Sequence, residues 1–231
     1  TVPMDGSPVE AGELLLVGGN GHKGGQFDSA RDAVEDLHAW TAAHFPGAEP
    51  THAWSAQDYQ ALDRVPYVGP MPRGGDHIYV ATGFDKWGMT NGVAAGLALS
   101  AQILGGQMPW AETLKTRSTT AAGVGEAIAV NVDVAVNLAK DWVNAELNAL
   151  PEEPPAEGEG VVGRGANMKP EGVSTVDGLT CRVSAICTHL GGVLRWNNAE
   201  RSWDCPLHGS RYDARGALLE GPAVTDLKVL E

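Results

Sequence analysis

Two short segments near the end of the chain constrain its fold more than any other feature. They read "CTHLGG" and "CPLHGS", so that Cys187 stands with His189 and Cys205 stands with His208. Fifteen residues separate His189 from Cys205, enough for a hairpin to lead out of one loop and back into another. Two loops at one end of a sheet would then bring two thiols and two imidazoles together, a donor set that suits a metal centre.

Two kinds of metal centre use this donor set. Zinc binds two sulfurs and two nitrogens tetrahedrally. A [2Fe-2S] cluster of the Rieske kind takes two cysteines on one iron and two histidines on the other. Zinc sites more often pair like residues within one segment, whereas each segment here carries one of each kind. The spacing favours the cluster and leaves zinc as the alternative.

The last third of the chain, residues 157 to 231, resembles Rieske iron–sulfur domains. The resemblance rests on "CTHLGG", on "CPLHGSRYD", and on a later "GPA" that is similar to the proline loop covering the cluster. It implies an all-β domain of antiparallel sheets that binds a [2Fe-2S] cluster. It also implies the iron ligands, with two cysteines on the buried iron and two histidines on the exposed one: Cys187, Cys205, His189 and His208.

The resemblance extends to residues around the ligands, with one departure. Ser210 and Tyr212 match positions whose hydroxyls bond a bridging sulfide and a ligand thiolate, and such bonds favour the reduced, more negative state. Many Rieske domains also carry a disulfide between the two loops, at the positions of Gly192 and Leu207. Both cysteines are absent here, which is more similar to the ferredoxin and oxygenase members than to the quinol-oxidising ones.

A segment rich in proline and glutamate, "LPEEPPAEGEG" at residues 150–160, predicts an exposed linker ahead of this domain. The segments before the linker mix helices and strands, so we expect an α+β part followed by the all-β part. The predicted organisation is an oxidoreductase-like portion over 1–116, a helical segment over 117–150, the linker over 151–158 and the Rieske domain over 159–231.

Hydrophobic periodicity and cap signals predict the elements of the first part. "ELLLV" indicates a strand, and residues 29–45 indicate a helix. A second strand is expected over 76–83, followed by a helix with Thr90 or Asn91 as its N-cap. A long helical stretch is expected over 124–149.

The stretches "LDRVPYVGPMP" and "HIYVATGFDKWGMTNGVAAGLALSAQILG" resemble the C-terminal half of FAD-dependent amine and amino-acid oxidoreductases of the glycine or D-amino-acid oxidase kind. In that family a helix after a glycine turn aims its N-terminus at the flavin, where the helix dipole favours the anionic reduced ring. The resemblance implies FAD in a longer parent protein. It places the FAD-binding turn at Gly83, Lys86, Trp87, Gly88, Met89 and Thr90.

An early glycine cluster, "GNGHKG" at residues 19–24, fits the spacing of a dinucleotide-binding loop. Such a loop opens directly into a helix that holds the phosphates, but the first helix start here is near Ser29. The stretch instead resembles the strand and loop on the substrate side of the amine oxidoreductases. Its glycines are therefore expected to shape a turn beside a site.

Charge and cysteine content limit the partners and the compartment. The chain has 16 Lys and Arg residues against 29 Asp and Glu residues, a net charge of −13, which repels nucleic acid. No apolar run is long enough to span a membrane. The three cysteines do not provide a disulfide framework, so we expect a reducing, cytoplasmic location.

These features predict an oxidoreductase with an electron-transfer domain. The parent would be an FAD-dependent enzyme acting on a small amine-type substrate, and this chain alone would be its electron-transfer part. The cluster would exchange electrons with a partner protein or with the flavin. The alternatives are a zinc-stabilised interaction module and a Rieske ferredoxin-like shuttle that serves a separate oxygenase.

Overall fold

The computed structural model describes residues 14–27, 29–75, 77–115, 121–165 and 167–230. The chain divides into two compact units. One unit is Ala56–Asp133, and the other combines the described residues before Ala56 with those from Val134 onward. The domain boundaries expected from the sequence remain a prediction.

The first helix confirms the cap signal in the sequence. Helix α1 spans Ala30–His44, and the hydroxyl of its N-cap, Ser29, accepts a hydrogen bond from the Asp32 amide. The helix therefore starts well after the glycine cluster, as expected. The strand predicted for "ELLLV" is wrong for residues 14–17, where the structure has no strand.

The unit Ala56–Asp133 is built on a hairpin and a helix. Strand β1 (Tyr67–Pro70) pairs antiparallel with β2 (Tyr79–Thr82), and helix α2 (Gly88–Ile103) follows. A 3₁₀ turn (Pro109–Ala111) and the short helix α3 (Glu112–Lys115) come after α2. Its core consists of small residues that let helix and strand approach closely: Val68, Ala95, Ala98 and Ala111.

Helix α2 begins two residues before the predicted cap. Trp87 is its N-cap, so the expectation of Thr90 or Asn91 in that role is wrong. The Asn91 side chain instead bonds back to the Phe84 carbonyl at 3.4 Å. Strand β1 was not predicted from the sequence.

Helix α4 spans Ala121–Leu147 and continues from one unit into the other. The buried side of its second half includes Asp141 and Ala145, which are four residues apart on one helical face. The predicted range of 124–149 agrees with this helix to within a few residues.

The last part of the chain is all-β, as predicted. Three antiparallel strands form one sheet in the order β3 (Gly160–Arg164), β4 (Pro170–Val176) and β5 (Leu179–Ser184). Asp177 and Gly178 join β4 to β5 with φ of 53° and 73°, which is typical of an Asp-Gly hairpin turn.

A second antiparallel sheet carries four short strands. Its order is β6 (Arg195–Asn197), β7 (Ser202–Asp204), β8 (Arg211–Asp213) and β9 (Leu218–Glu220). The stretches "GVLRWN" and "RSWDC", with the turn "NNAE" between them, predict the pair β6 and β7, whereas β8 and β9 were not predicted. The core of this part contains Cys187 and Cys205 in one cluster with larger buried side chains: Val183, Leu194, Trp203, Tyr212 and Leu227.

None of the helices in the described ranges combines the length and apolar character that a membrane span requires.

Candidate metal centre

The first ligand loop, residues 187–192, is a tight turn between β5 and β6. The Cys187 amide donates to the Gly192 carbonyl at 2.8 Å, and the Gly191 amide donates to the Cys187 carbonyl at 3.0 Å. Gly191 has φ of 75°, a conformation that glycine adopts without steric cost. These two backbone hydrogen bonds close the loop at Cys187.

The second ligand loop, residues 205–210, repeats this pattern between β7 and β8. The Cys205 amide donates to the Ser210 carbonyl at 2.8 Å, and the Gly209 amide donates to the Cys205 carbonyl at 2.9 Å. Gly209 has φ of 78°. Two turns of the same construction thus present the four predicted ligands.

The two thiols are buried neighbours. Cys187 is 2% exposed and Cys205 is 1% exposed. A hydrogen bond from the Cys205 thiol lowers the pKa of Cys187 to about 5, with further bonds from the Tyr212 hydroxyl, the His189 amide and the Ser210 hydroxyl, against the cost of burial. The same bond to Cys187, together with burial, raises the pKa of Cys205. The pair loses its first proton readily, and a bound cation would favour loss of the second.

The two imidazoles lie near each other at the surface. The His189 and His208 ring centroids are 5.1 Å apart with an interplanar angle of 81°, and both residues are exposed. Partial burial, followed by the nearby His189 charge, lowers the pKa of His208. A neutral ring keeps the nitrogen lone pair that a metal needs.

The donor set therefore forms two pairs, one of sulfurs inside and one of ring nitrogens outside. Thiolates and imidazoles are the ligands that iron and zinc accept. In the described ranges, no group of three His, Cys, Asp or Glu side chains is arranged to hold a single metal ion. The chemistry of the four donors fits a [2Fe-2S] group, with two buried sulfurs for one iron and two exposed ring nitrogens for the other.

Tyr212 is buried directly beside the first loop. Its hydroxyl lies 3.5 Å from Cys187 Sγ and accepts from the Thr188 amide at 3.3 Å. It also lies 3.0 Å from Thr188 Oγ1, which donates to the Thr225 carbonyl at 2.8 Å. Because the Thr188 proton is used there, the Tyr212 proton points to Thr188 Oγ1 or to the thiol. Burial, and then the bond to Cys187, raises the pKa of Tyr212 to about 12.

Ser210 connects the second loop to the segment "GPA". Its buried hydroxyl accepts a hydrogen bond from the Ala223 amide at 3.0 Å, and the Gly221–Pro222 peptide bond is cis. The hydroxyl also bonds to Cys187, whose pKa it lowers. The residues predicted to surround the ligands are therefore in contact with them, and Thr188 joins the set without having been predicted.

The FAD-binding turn predicted from the sequence lies in the other unit, between β2 and α2. Gly83 is buried with φ of 77°, and Asp85 and Lys86 follow with φ of 46° and 66°. Trp87 and Met89 are 68% and 92% exposed. The six predicted residues thus lie along the turn after β2 and the first turn of α2, with Gly83 buried and the other five exposed: Gly83, Lys86, Trp87, Gly88, Met89 and Thr90.

Comparison with known protein families agrees with both halves of this description. A family model described as "FAD dependent oxidoreductase" matches residues 3–102, and one described as "Rieske [2Fe-2S] domain" matches residues 166–231. The chain carries part of an FAD-dependent oxidoreductase followed by a Rieske domain. The Rieske domain implies a [2Fe-2S] cluster, and the oxidoreductase part implies FAD in the parent fold.

Individual relatives cover different shares of the chain. A Bacillus subtilis (strain 168) protein named as Rieske 2Fe-2S iron-sulfur protein YhfW is 34% identical over 96% of this chain and 44% of its own length. Cytochrome b6-f complex iron-sulfur subunit 1 of Nostoc sp. (strain PCC 7120) is 53% identical over 20% of this chain and 25% of its own length. The chain thus spans less than half the length of either relative.

Among solved structures, the plasma membrane Rieske protein PetC3 from Synechocystis PCC 6803 is 32% identical to the chain. The matched region covers 30% of this chain and 72% of the PetC3 chain, with a TM-score of 0.28.

Two upstream side chains contact the ligand loops of the Rieske domain, and sequence reasoning missed both. Trp142 Nε1 donates to the Gly191 carbonyl at 3.0 Å, and Gln26 Nε2 donates to the Pro206 carbonyl at 2.8 Å. These partners lie 49 and 180 residues apart in the chain. No local motif signals such contacts.

Proposed function

We propose that the Rieske domain holds its [2Fe-2S] cluster through Cys187 and Cys205 on the inner iron and His189 and His208 on the outer iron. The observation that carries this assignment is that two buried, hydrogen-bonded thiols and two neighbouring exposed rings come from the same two loops. A [2Fe-2S] cluster of this kind takes up and releases single electrons.

The surrounding residues assist by stabilising negative charge on sulfur. The His189 amide donates to Cys187 Sγ, and the Leu207 and His208 amides donate to Cys205 Sγ. The hydroxyls of Ser210 and Tyr212 add to the bonds on Cys187. Because these donors are fixed by tight turns and burial, they favour the reduced state without rearrangement.

The exposed histidines are the proposed site of electron exchange. Both rings lie at the surface, whereas the thiols are shielded from water. A partner protein or a flavin that approaches the rings would therefore come nearest to the outer side of the centre. The surface charge of the chain is strongly negative, which favours partners of opposite charge.

For the longer parent we propose an FAD-dependent oxidoreductase that oxidises a small amine-type substrate. Two features of the unit Ala56–Asp133 support this proposal. Consecutive non-glycine residues with positive φ, Asp85 and Lys86, hold the turn before α2, and such strain is typical of functional sites. Helix α2 and its C-cap also expose an apolar stripe that further protein could cover: Met89, Val93, Leu97 and the C-cap Leu104.

We also propose a cytoplasmic location for the protein. None of its three cysteines is in a disulfide, and the two ligand thiols must stay reduced to bind metal.

The test of the cluster assignment is anaerobic purification of the chain followed by iron, zinc and acid-labile sulfide analysis. The expected result is two irons and two sulfides per chain, with an EPR spectrum that appears on reduction. Variants Cys187→Ser and Cys205→Ser should abolish this signal. A colourless protein with one zinc per chain would instead support the zinc-stabilised module.

The test of the parent activity uses the full-length protein. It should contain FAD, and an amine substrate should bleach the flavin absorbance under anaerobic conditions. A full-length protein without FAD would favour the ferredoxin-like shuttle.

A further inference from the structure

One peptide group of the second ligand loop is bonded at both ends. The N–H of the Pro206–Leu207 peptide, which belongs to Leu207, donates to Cys205 Sγ. Its C=O, which belongs to Pro206, accepts a hydrogen bond from Gln26 Nε2 at 2.8 Å. A donor on the oxygen of an amide polarises it and strengthens the bond made by its N–H, because hydrogen bonds in a chain are cooperative.

The backbone next to Gln26 lies directly on the same loop. Gly25 has φ of 66°, and a Cβ placed on it would be 2.7 Å from the Pro206 nitrogen and 2.9 Å from the Cys205 carbonyl carbon. Only glycine fits at such a distance and in such a conformation. Gln26 is therefore delivered to the loop by a close backbone contact, which an exposed and freely moving side chain would not have.

Arg195 fixes this backbone to the Rieske sheet. Its Nη1 donates to the Gly25 carbonyl at 3.0 Å, while its Nη2 bonds both carboxylate oxygens of Asp141 at 2.7 and 2.9 Å. The Asp141 side chain is only 8% exposed. Strand β6, helix α4 and the segment before Gln26 are thus tied at one guanidinium group.

We propose that Gln26 is a positioning residue of the iron–sulfur centre. Its side-chain amide polarises the Pro206–Leu207 peptide, strengthens the bond from Leu207 to Cys205 Sγ, and thereby raises the reduction potential. This inference rests on the proposed function, since it requires Cys205 to be a cluster ligand. It assigns control of the centre to a residue that lies far upstream of the Rieske domain.

Two substitutions at one position test the sign of the effect. Gln26→Met keeps the size of the side chain and removes the donor, whereas Gln26→Lys keeps a donor and adds positive charge. In an EPR-monitored redox titration, Gln26→Met should lower the equilibrium constant for reduction about threefold, or about 28 mV at 59 mV per tenfold change. Gln26→Lys should have a potential equal to or above that of the wild type.

The matched control is Gln60→Met, because Gln60 Nε2 also donates a hydrogen bond, to Asp85, but lies in the other unit. Its potential should equal that of the wild type. Iron and sulfide content is measured for every variant before titration.

A fully loaded Gln26→Met protein with the wild-type potential would overturn the inference. If Gln26→Met does not retain the cluster, Gln26→Lys decides, and a potential below that of the wild type overturns the inference. A wild-type chain without iron and sulfide would instead refute the cluster assignment itself, so the two failures are distinguishable.

Discussion

Leu207 occupies the space that any side chain at position 192 would need. A Cβ on Gly192 would lie 2.6 Å from Leu207 Cδ1 and 3.2 Å from Cys205 Sγ. By the resemblance to Rieske domains, Gly192 and Leu207 stand at the two positions where many members carry a disulfide. In this chain the two ligand loops are instead in contact there through the packing of Leu207 against Gly192.

The contact predicts a coupled pair of substitutions. Gly192→Ala should destabilise the protein by about 1–3 kcal/mol because the added methyl group overpacks the loop interface. In a Leu207→Ala background the same change should cost less, since the clashing atoms are gone. Chemical denaturation of both single variants and the double variant measures this coupling, and additive effects would refute the contact.

Loss of a ligand thiol should remove the centre and destabilise the domain. We expect Cys205→Ser to abolish iron and sulfide and to lower the melting temperature, because a group that binds only the folded state stabilises it. Cys181→Ser is the matched control, since Cys181 lies in β5 and is not one of the proposed ligands. If Cys181→Ser loses iron as completely as Cys205→Ser, the ligand assignment is wrong.

Removal of the Tyr212 hydroxyl should lower the reduction potential. The hydroxyl lies 3.5 Å from Cys187 Sγ, and a hydrogen bond to a charged group contributes roughly 1.5 kcal/mol or more. Tyr212→Phe should therefore reduce the equilibrium constant for reduction by about tenfold, which is about 59 mV. Tyr67→Phe is the control, because the Tyr67 hydroxyl bonds the Pro70 carbonyl in the other unit.

The four candidate ligands can be proposed from the sequence because each pair is local. Each ligand pair lies within four residues, and the glycine at the end of each turn reports the required backbone conformation. Gln26 and Trp142 could not be predicted, since their partners lie 180 and 49 residues away and only the folded chain brings them together. The strands β8 and β9 were missed, whereas the equally short β6 and β7 were predicted because the turn "NNAE" stands between them.

The element errors in the first part have similar causes. An apolar run such as residues 14–17 predicts a strand, but the structure assigns no strand there. Asn91 suits an N-cap by type, yet its side chain bonds the carbonyl of Phe84, which precedes the helix. A short run and a residue type are therefore too little evidence to place a strand or a helix start.

The hydrogen bonds of Glu157 should make the stability of the protein depend on pH through the hairpin between β4 and β5. Its carboxylate accepts hydrogen bonds from the Gly178 and Asp177 amides at 3.0 and 2.8 Å, and these bonds lower its pKa from the ordinary value of 4.5. A lowered pKa contributes stability above 4.5 that is lost as the pH falls through the folded-state value. Glu157→Gln should thus be less stable than the wild type at pH 7.

The difference in free energy of unfolding between the wild type and Glu157→Gln should disappear as the pH falls below 4.5. Denaturation curves at several pH values measure it, and both proteins carry the same centre, so any loss of cluster in acid affects them alike. A stability difference that is constant with pH would contradict the prediction.

The Arg195–Asp141 ion pair should stabilise the protein and set the potential through Gln26. Removing one partner of a buried pair costs about 3–5 kcal/mol, and Arg195 is 30% exposed, so we expect roughly 2 kcal/mol for Arg195→Met. Arg195→Met also frees the Gly25 carbonyl, which loosens the contact between Gln26 and Pro206. Its reduction potential should therefore fall in the same direction as that of Gln26→Met, and the double variant should show no further fall.

Arg31→Met is the control, because Arg31 pairs with Glu159 at the surface and touches neither ligand loop. A double variant whose potential shift is the sum of the two single shifts would show that Arg195 acts on the centre by another route.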